Sequence, residues 1–278
     1  MAIELATQFQ SKVDELFFTE SRHGLITNQD YSWDGAASIK VYSVSTADMN
    51  DYGRTGPEPG VWSRYGPIQS LDATTQVMTL RKDRSFTFAV DRLDVDETKQ
   101  AIAAAAALAR QLREVTMPEI DSYMLTQMCE NAGQKPAAVA LTATNIFERI
   151  VDANNLLDNE EVPETNRSLI LTPDKYLLLK KSKDVIMETN LSDEQRKRGI
   201  IAMIDGLNVI RVPANRLPAK FGFLIAHPIA TVAPVKLSEY RIHQNPPGIS
   251  GDLAEGRFNY DAFVLKNKAK ALAYQANT

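Results

Sequence analysis

The chain has 278 residues, of which 44% are hydrophobic and 24% charged, proportions that exclude disordered, collagen-like and coiled-coil classes. With 35 acidic against 31 basic residues the net charge is −4, which argues against sequence-independent nucleic-acid binding, since that task calls for a basic surplus. Cys129 is the only cysteine, so an intrachain disulfide and a Cys-rich zinc site are both excluded, and a reducing cytoplasm is the simplest expectation. The opening Met1-Ala-Ile-Glu-Leu lacks a basic region and an apolar core, so no secretory signal is expected. The longest uncharged run, Phe221 to Val235, contains Pro228 and Pro234 and is too short to cross a bilayer.

In chain order, apolar residues at 5, 9, 13, 16 and 17 predict an amphipathic helix over 5–18. The stretch that follows, to Asp34, has no clear period and reads as an arm. The run IKVYSVS (39–45) predicts a strand, and its expected partner is 76–91. There Met78, Leu80, Phe86, Phe88 and Val90 share one parity, but Lys82 and Arg84 interrupt it. Such a strand is expected to leave the core and return to it.

Asp48 to Asp72 joins these strands through several Gly and Pro residues, with Trp62 and Tyr65 beside Arg54 and Arg64. Loops of this length are usually functional or ordered by a partner, and aromatic and Arg side chains dominate protein interfaces. A contact surface is therefore expected. Next, Asp94 or Asp96 is expected to cap a long helix that includes Ala103 to Ala107. Thr116, three residues before Glu119, reads as a capping box that restarts a helix over 117–131.

The second half predicts a helix over 144–157, a strand over 168–171, a Pro173-initiated helix through Lys180 and a polar break at 192–198. Asp205-Gly206 predicts a hairpin turn. Strand-like segments follow around KLSEYRI and GRFNYDAFVL.

The catalytic templates fail. No phosphate-binding loop and no GxGxxG after a strand is present, and Gly248-Ile-Ser250-Gly251 is one residue short of a nucleophile elbow. His23, His227 and His243 have no second histidine at ligand spacing. Cys129 reads as a core thiol on a helix. No catalytic residue, metal or cofactor is expected.

DYSWDGAASIKVY (30–42), LDATTQVMTLRKDRSFTFAVDRLDVDET (71–98), RQLREVTMPEIDSY (110–123) and GRFNYDAFVLKNK (256–268) resemble the major capsid proteins of tailed bacteriophages, the Hong Kong 97-type shell fold. The likeness is nearest to the compact capsid proteins of phages and prophages of Gram-positive bacteria. It implies an α+β fold in five parts: an N-terminal arm (1–36), an extended E-loop hairpin (37–92), a peripheral domain with a long spine helix (93–133), an axial domain (134–240) and a return to the peripheral domain (241–278).

The function implied is a non-enzymatic subunit that self-assembles into pentamers and hexamers of an icosahedral head around double-stranded DNA, without sequence-specific binding. Its implied partners are other copies, a portal protein and a separate scaffolding protein if one is used. Its implied place is the virion, assembled in the host cytoplasm. Arg54, Trp62, Arg64 and Tyr65 are the expected contacts between subunits, with Lys82 and Arg84 pairing acids on a neighbour. The alternatives are an encapsulin-like compartment shell and, in a different class, an α/β hydrolase using Ser250 or His227.

Overall fold

The computed structural model describes residues 26–28, 38–57, 59–60, 62–97, 104–182 and 200–278. The expected helix over 5–18, nearly all of the arm and the break at 192–198 lie outside the described residues. The chain divides into two units, Gly35–Thr79 and a larger one formed by Met1–Asp34 with Leu80–Thr278.

In the smaller unit β1 (Ser38–Val44) pairs antiparallel with β2 (Ala73–Thr79), Ser38 opposite Thr79 and Val44 opposite Ala73. The hairpin is closed where Ser45 N–H donates to the Asp72 carbonyl at 2.8 Å and Asp72 N–H donates to Ser45 Oγ at 2.9 Å.

The single strand expected over 76–91 is in fact two. It breaks at Leu80-Arg81, and β3 (Lys82–Asp91) belongs to the larger unit. The break is held by Asp261, whose buried carboxylate accepts from Arg81 N–H at 2.9 Å, the Tyr123 hydroxyl at 2.8 Å and Ala262 N–H at 2.8 Å.

Helix α1 (Arg92–Glu97) starts one turn earlier than expected. Its cap is Asp91, whose Oδ1 accepts from Leu93 N–H at 2.8 Å, and not Asp94 or Asp96. Helix α2 (Ala104–Gln111) runs into a π segment, Leu112–Thr116, and on into α3 (Met117–Glu130) without a stop. The expected capping box at Thr116 is absent: Thr116 has helical φ −68 and ψ −49, and its side chain caps nothing. Pro118 explains the π turn. It has no N–H to give and its ring crowds the carbonyl four residues back, and a widened turn relieves both. Met117 N–H accordingly reaches back to the Leu112 carbonyl.

The remaining elements are α4 (Ile146–Asn159), β4 (Ser168–Leu171), α5 (Pro173–Lys181), β5 (Ile200–Ile204), β6 (Leu207–Arg211), β7 (Phe221–Ala226), β8 (Thr231–Val232), β9 (Val235–Gln244), β10 (Gly251–Tyr260), β11 (Phe263–Val264) and β12 (Leu272–Ala276). The Thr172 hydroxyl caps α5, accepting from Lys175 N–H at 3.3 Å. Asp205 and Gly206, both at positive φ, make the expected turn between β5 and β6.

Five strands form a sheet in the order β12-β7-β4-β6-β5, parallel only between β4 and β6. Both β4 and β7 are buried along their whole length, as their unbroken apolar runs require. One face packs Ile170, Ile210 and Leu224 with Met124, Leu125 and Met128 of α3. The other packs Leu169, Val209 and Ile225 with Ile146, Ile150 and Leu157 of α4 and Leu179 of α5. Near this sheet Arg167 is almost fully buried and donates to Asn154 Oδ1 and Asp158 Oδ1, each at 2.6 Å.

A separate antiparallel sheet has the order β3-β10-β9. Residues 241–278 contribute strands to more than one sheet. Tyr260 ends the three-stranded sheet, whereas β12 pairs with β7 in the five-stranded one. Ile26, buried in the core, and Asn28, whose N–H donates to the Thr231 carbonyl at 2.7 Å, fix residues 26–28 beside β8.

Candidate inter-subunit surfaces

The connection between β1 and β2 holds no regular strand or helix among the described residues, yet it is ordered by its own bonds. Gly53 N–H donates to the Arg64 carbonyl at 3.0 Å, and Asp48 N–H donates to Gln69 Oε1 at 3.1 Å. Tyr52 and Tyr65 meet edge to face with centroids 5.0 Å apart, the arrangement that ring quadrupoles favour. These cross-links bring Arg54, Trp62, Arg64 and Tyr65 into one loop with all four side chains exposed. Trp62 is 80% exposed and Tyr65 78%. Among the described residues, eight of the sixteen exposed large apolar side chains lie in this small unit.

Lys82 and Arg84 lie elsewhere. Both sit on β3 in the larger unit, and each is engaged within the chain. Arg84 Nε donates to Glu119 Oε1 at 2.7 Å, and Lys82 Nζ stands 4.8 Å from the centre of the Tyr123 ring. Within the chain, the acid that Arg84 meets is Glu119 of α3. The physical reason is the break at Leu80-Arg81, which carries β3 out of the hairpin and along the helix.

The three-stranded sheet shows a second surface that the sequence reading missed. One face carries Asp83, Arg257, Glu239, Arg241, Glu255 and His243. Arg257 grips Asp83 with both arms, at 2.9 and 2.6 Å, and this pair holds the Asp83 carboxyl below its ordinary value. Arg257 also stands opposite Glu239 across the ladder, and Glu255 opposite Arg241, so unlike charges face each other in adjacent rows. A shallow depression of about 460 Å³ lies between these rows, lined by Ser85, Thr87 and the four charged residues. The alternating parity in KLSEYRI was the available signal.

No group of three His, Cys, Asp or Glu side chains able to hold a metal occurs among the described residues. His227 Nδ1 accepts from Ile229 N–H at 3.2 Å, and burial lowers the pKa of the ring. Ser250 lies in the turn between β9 and β10, where its carbonyl accepts from Arg92 N–H at 3.0 Å. Cys129 is buried, which pushes its thiol up to about 12. A thiol so raised is not a nucleophile at neutral pH. No helix among the described residues is long and apolar enough to cross a membrane.

Solved structures with this fold include phage capsids. The chain superposes on a structure of the capsid of cyanophage P-SCSP1u with a TM-score of 0.74 at 13% identity, covering 99% of this chain and 93% of that one. For the asymmetric unit of the mature capsid of bacteriophage PhiM1 the TM-score is 0.72 at 15% identity, with 100% and 92% covered. For a chain from Mycobacterium phage Che8 it is 0.70 at 16% identity, with 98% and 96% covered. No family model and no curated protein matches the sequence. The fold is therefore the α+β phage capsid fold anticipated from the sequence.

Proposed function

We propose that the protein is the major capsid protein of a tailed phage, a structural subunit that assembles into pentamers and hexamers of an icosahedral head enclosing double-stranded DNA. The observation that carries this reading is the full-length match to capsid chains, without a large insertion or truncation on either side. The Gly35–Thr79 unit supports it further, because its exposed aromatic loop has the composition of a surface made for other copies. In this reading that unit is the E-loop, α2 to α3 is the spine helix beside the peripheral three-stranded sheet, and the five-stranded sheet is the axial domain. A net charge of −4 suits a wall that surrounds DNA without gripping it. A portal protein and, if one is used, a separate scaffolding protein are the partners in this reading, and the virion, built in the host cytoplasm, is its place.

The test is to express the full chain alone and pass it over a size-exclusion column, with negative-stain microscopy of the peak fractions. Megadalton shells or free capsomers are expected. A discrete dimer with hydrolase activity would overturn the reading, and shells that co-purify with a cargo enzyme would turn it towards a compartment.

A further inference from the structure

β9 is an edge strand: β10 covers one side, and among the described residues no strand pairs with the other. Asn245 N–H donates to the Gly251 carbonyl at 2.8 Å, which fixes the parity of the ladder. Odd-numbered β9 residues turn their backbone groups towards β10, so Tyr240 and Ile242 present N–H and C=O at the open edge. Their side chains are 56% and 38% exposed, on the face opposite the charged rows. An open edge of ten residues is a template for another strand unless something covers it.

The charges on β9 say what the cover is. Glu239 and Arg241 are exposed on one face, their charged groups 3.5 Å apart. We propose that β9 pairs antiparallel with β9 of a second copy about a two-fold axis at Tyr240, joining two three-stranded sheets into one of six strands. In this register Glu239 of one copy stands opposite Arg241 of the partner subunit, and Arg241 opposite Glu239 of the partner subunit. These are non-hydrogen-bonded positions, where side chains approach most closely, while Tyr240 faces its own copy across a hydrogen-bonded pair.

The register is selective. Moving the axis one residue towards the N-terminus sets Glu239 against its own copy, and one residue the other way does the same for Arg241; like charges directly opposite are destabilising. Only the register at Tyr240 extends the order already present in the sheet. There the row Arg257, Glu239 continues with Arg241 and Glu255 of the partner subunit, alternating in sign. Such a contact is isologous and closes on itself, so it yields a pair of copies and no open fibre. It goes beyond the shell reading and does not depend on it, because a pair can be trapped without any particle.

The experiment is disulfide trapping of the full chain under mild oxidation, read on non-reducing gels. At a hydrogen-bonded pair the Cα atoms lie about 5.5 Å apart, inside the range a disulfide spans. Tyr240→Cys should therefore form a covalent dimer. The two copies of position 242 lie four residues apart along the ladder, about 13 Å, so Ile242→Cys should stay monomeric. Cys129 is buried and silent in both.

Adding Glu239→Arg to Tyr240→Cys should abolish the dimer, and adding Arg241→Glu as well should restore it. The restored variant is worse paired within its own sheet, against Arg257 and Glu255, so recovery cannot come from improved folding. Equal trapping at 240 and 242, no trapping at 240, or a doubly exchanged variant that stays monomeric while circular dichroism shows it folded would each overturn the proposal.

Discussion

Arg216 Nη1 donates to Asp121 Oδ2 at 2.9 Å, with both side chains buried. The pair ties the middle of α3 to the single 3-10 turn after β6, and so holds the long helix against the five-stranded sheet. Removing one partner takes from the other the ion pair that offsets its burial. Asp121→Ala should therefore lower unfolding stability by about 3–5 kcal/mol, measured by urea titration of the soluble subunit. Replacing both together, Asp121→Leu with Arg216→Met, should recover most of the loss, because a well-packed apolar pair often equals a buried ion pair. A double variant as unstable as the single would show that the charges are needed for more than each other.

Gly251 opens β10 at φ +149, and a Cβ there would stand 2.1 Å from the Val90 carbonyl oxygen. Gly248, in the same turn, has φ +86 and open space around it. Gly248→Ala meets only the backbone penalty, about 1 kcal/mol. Gly251→Ala meets that and a clash with β3, together about 2–4 kcal/mol. Thermal unfolding of the two variants side by side should rank them in that order.

Elements set by local rules were legible from the sequence: the strand over 168–171, the Pro173-initiated helix and the Asp205-Gly206 turn all rest on a few adjacent residues. The split of residues 76–91 was not legible, because β3 pairs with β10, some 170 positions later, and Arg81 before it is bonded to the equally distant Asp261. The π segment was missed because Thr116 and Glu119 match a capping pattern that Pro118 turns into a widened continuous helix. Arg167 and Arg216 look like surface residues in the sequence, and only the fold buries them. Of the candidate contacts, the exposure of the loop residues was readable by composition. The pairing of Arg84 with Glu119 within the chain was not legible, because Glu119 comes from a helix whose position beside β3 no local pattern encodes.

Alkaline pH should destabilise the subunit. Burial raises the Cys129 thiol from 9.0 to about 12, and burial with the hydrogen bond to Asp261 raises Tyr123 from 10.0 to about 12. Tyr260 is raised too, by burial first and then by Glu119. Each group keeps its proton longer folded than unfolded, so its contribution is complete below the unfolded value and lost as pH climbs through the folded one. Stability should be level up to about pH 9 and fall from there to about pH 12. Cys129→Ala should flatten the early part of that fall, and iodoacetamide should label Cys129 at pH 8 only after denaturant is added.

Trp62 and Arg64 carry the sharpest test of the loop. Both side chains are exposed, so removing them leaves no cavity, and Trp62→Ala with Arg64→Ala should change the melting free energy by no more than about 0.5 kcal/mol. Tyr65 is a poorer probe, because its ring packs on Tyr52 and its loss would disturb the loop itself. If the loop meets other copies, the double variant should remain a folded subunit with an unchanged circular dichroism spectrum and give far fewer particles under the conditions in which the parent assembles. Aromatic and Arg anchors concentrate interface energy, and a shell repeats each contact in every subunit, so a modest loss per contact is multiplied across the particle. Particles in normal yield from this variant would remove the loop from the assembly contacts. The exposed apolar cluster of the Gly35–Thr79 unit would then need a partner other than a second copy.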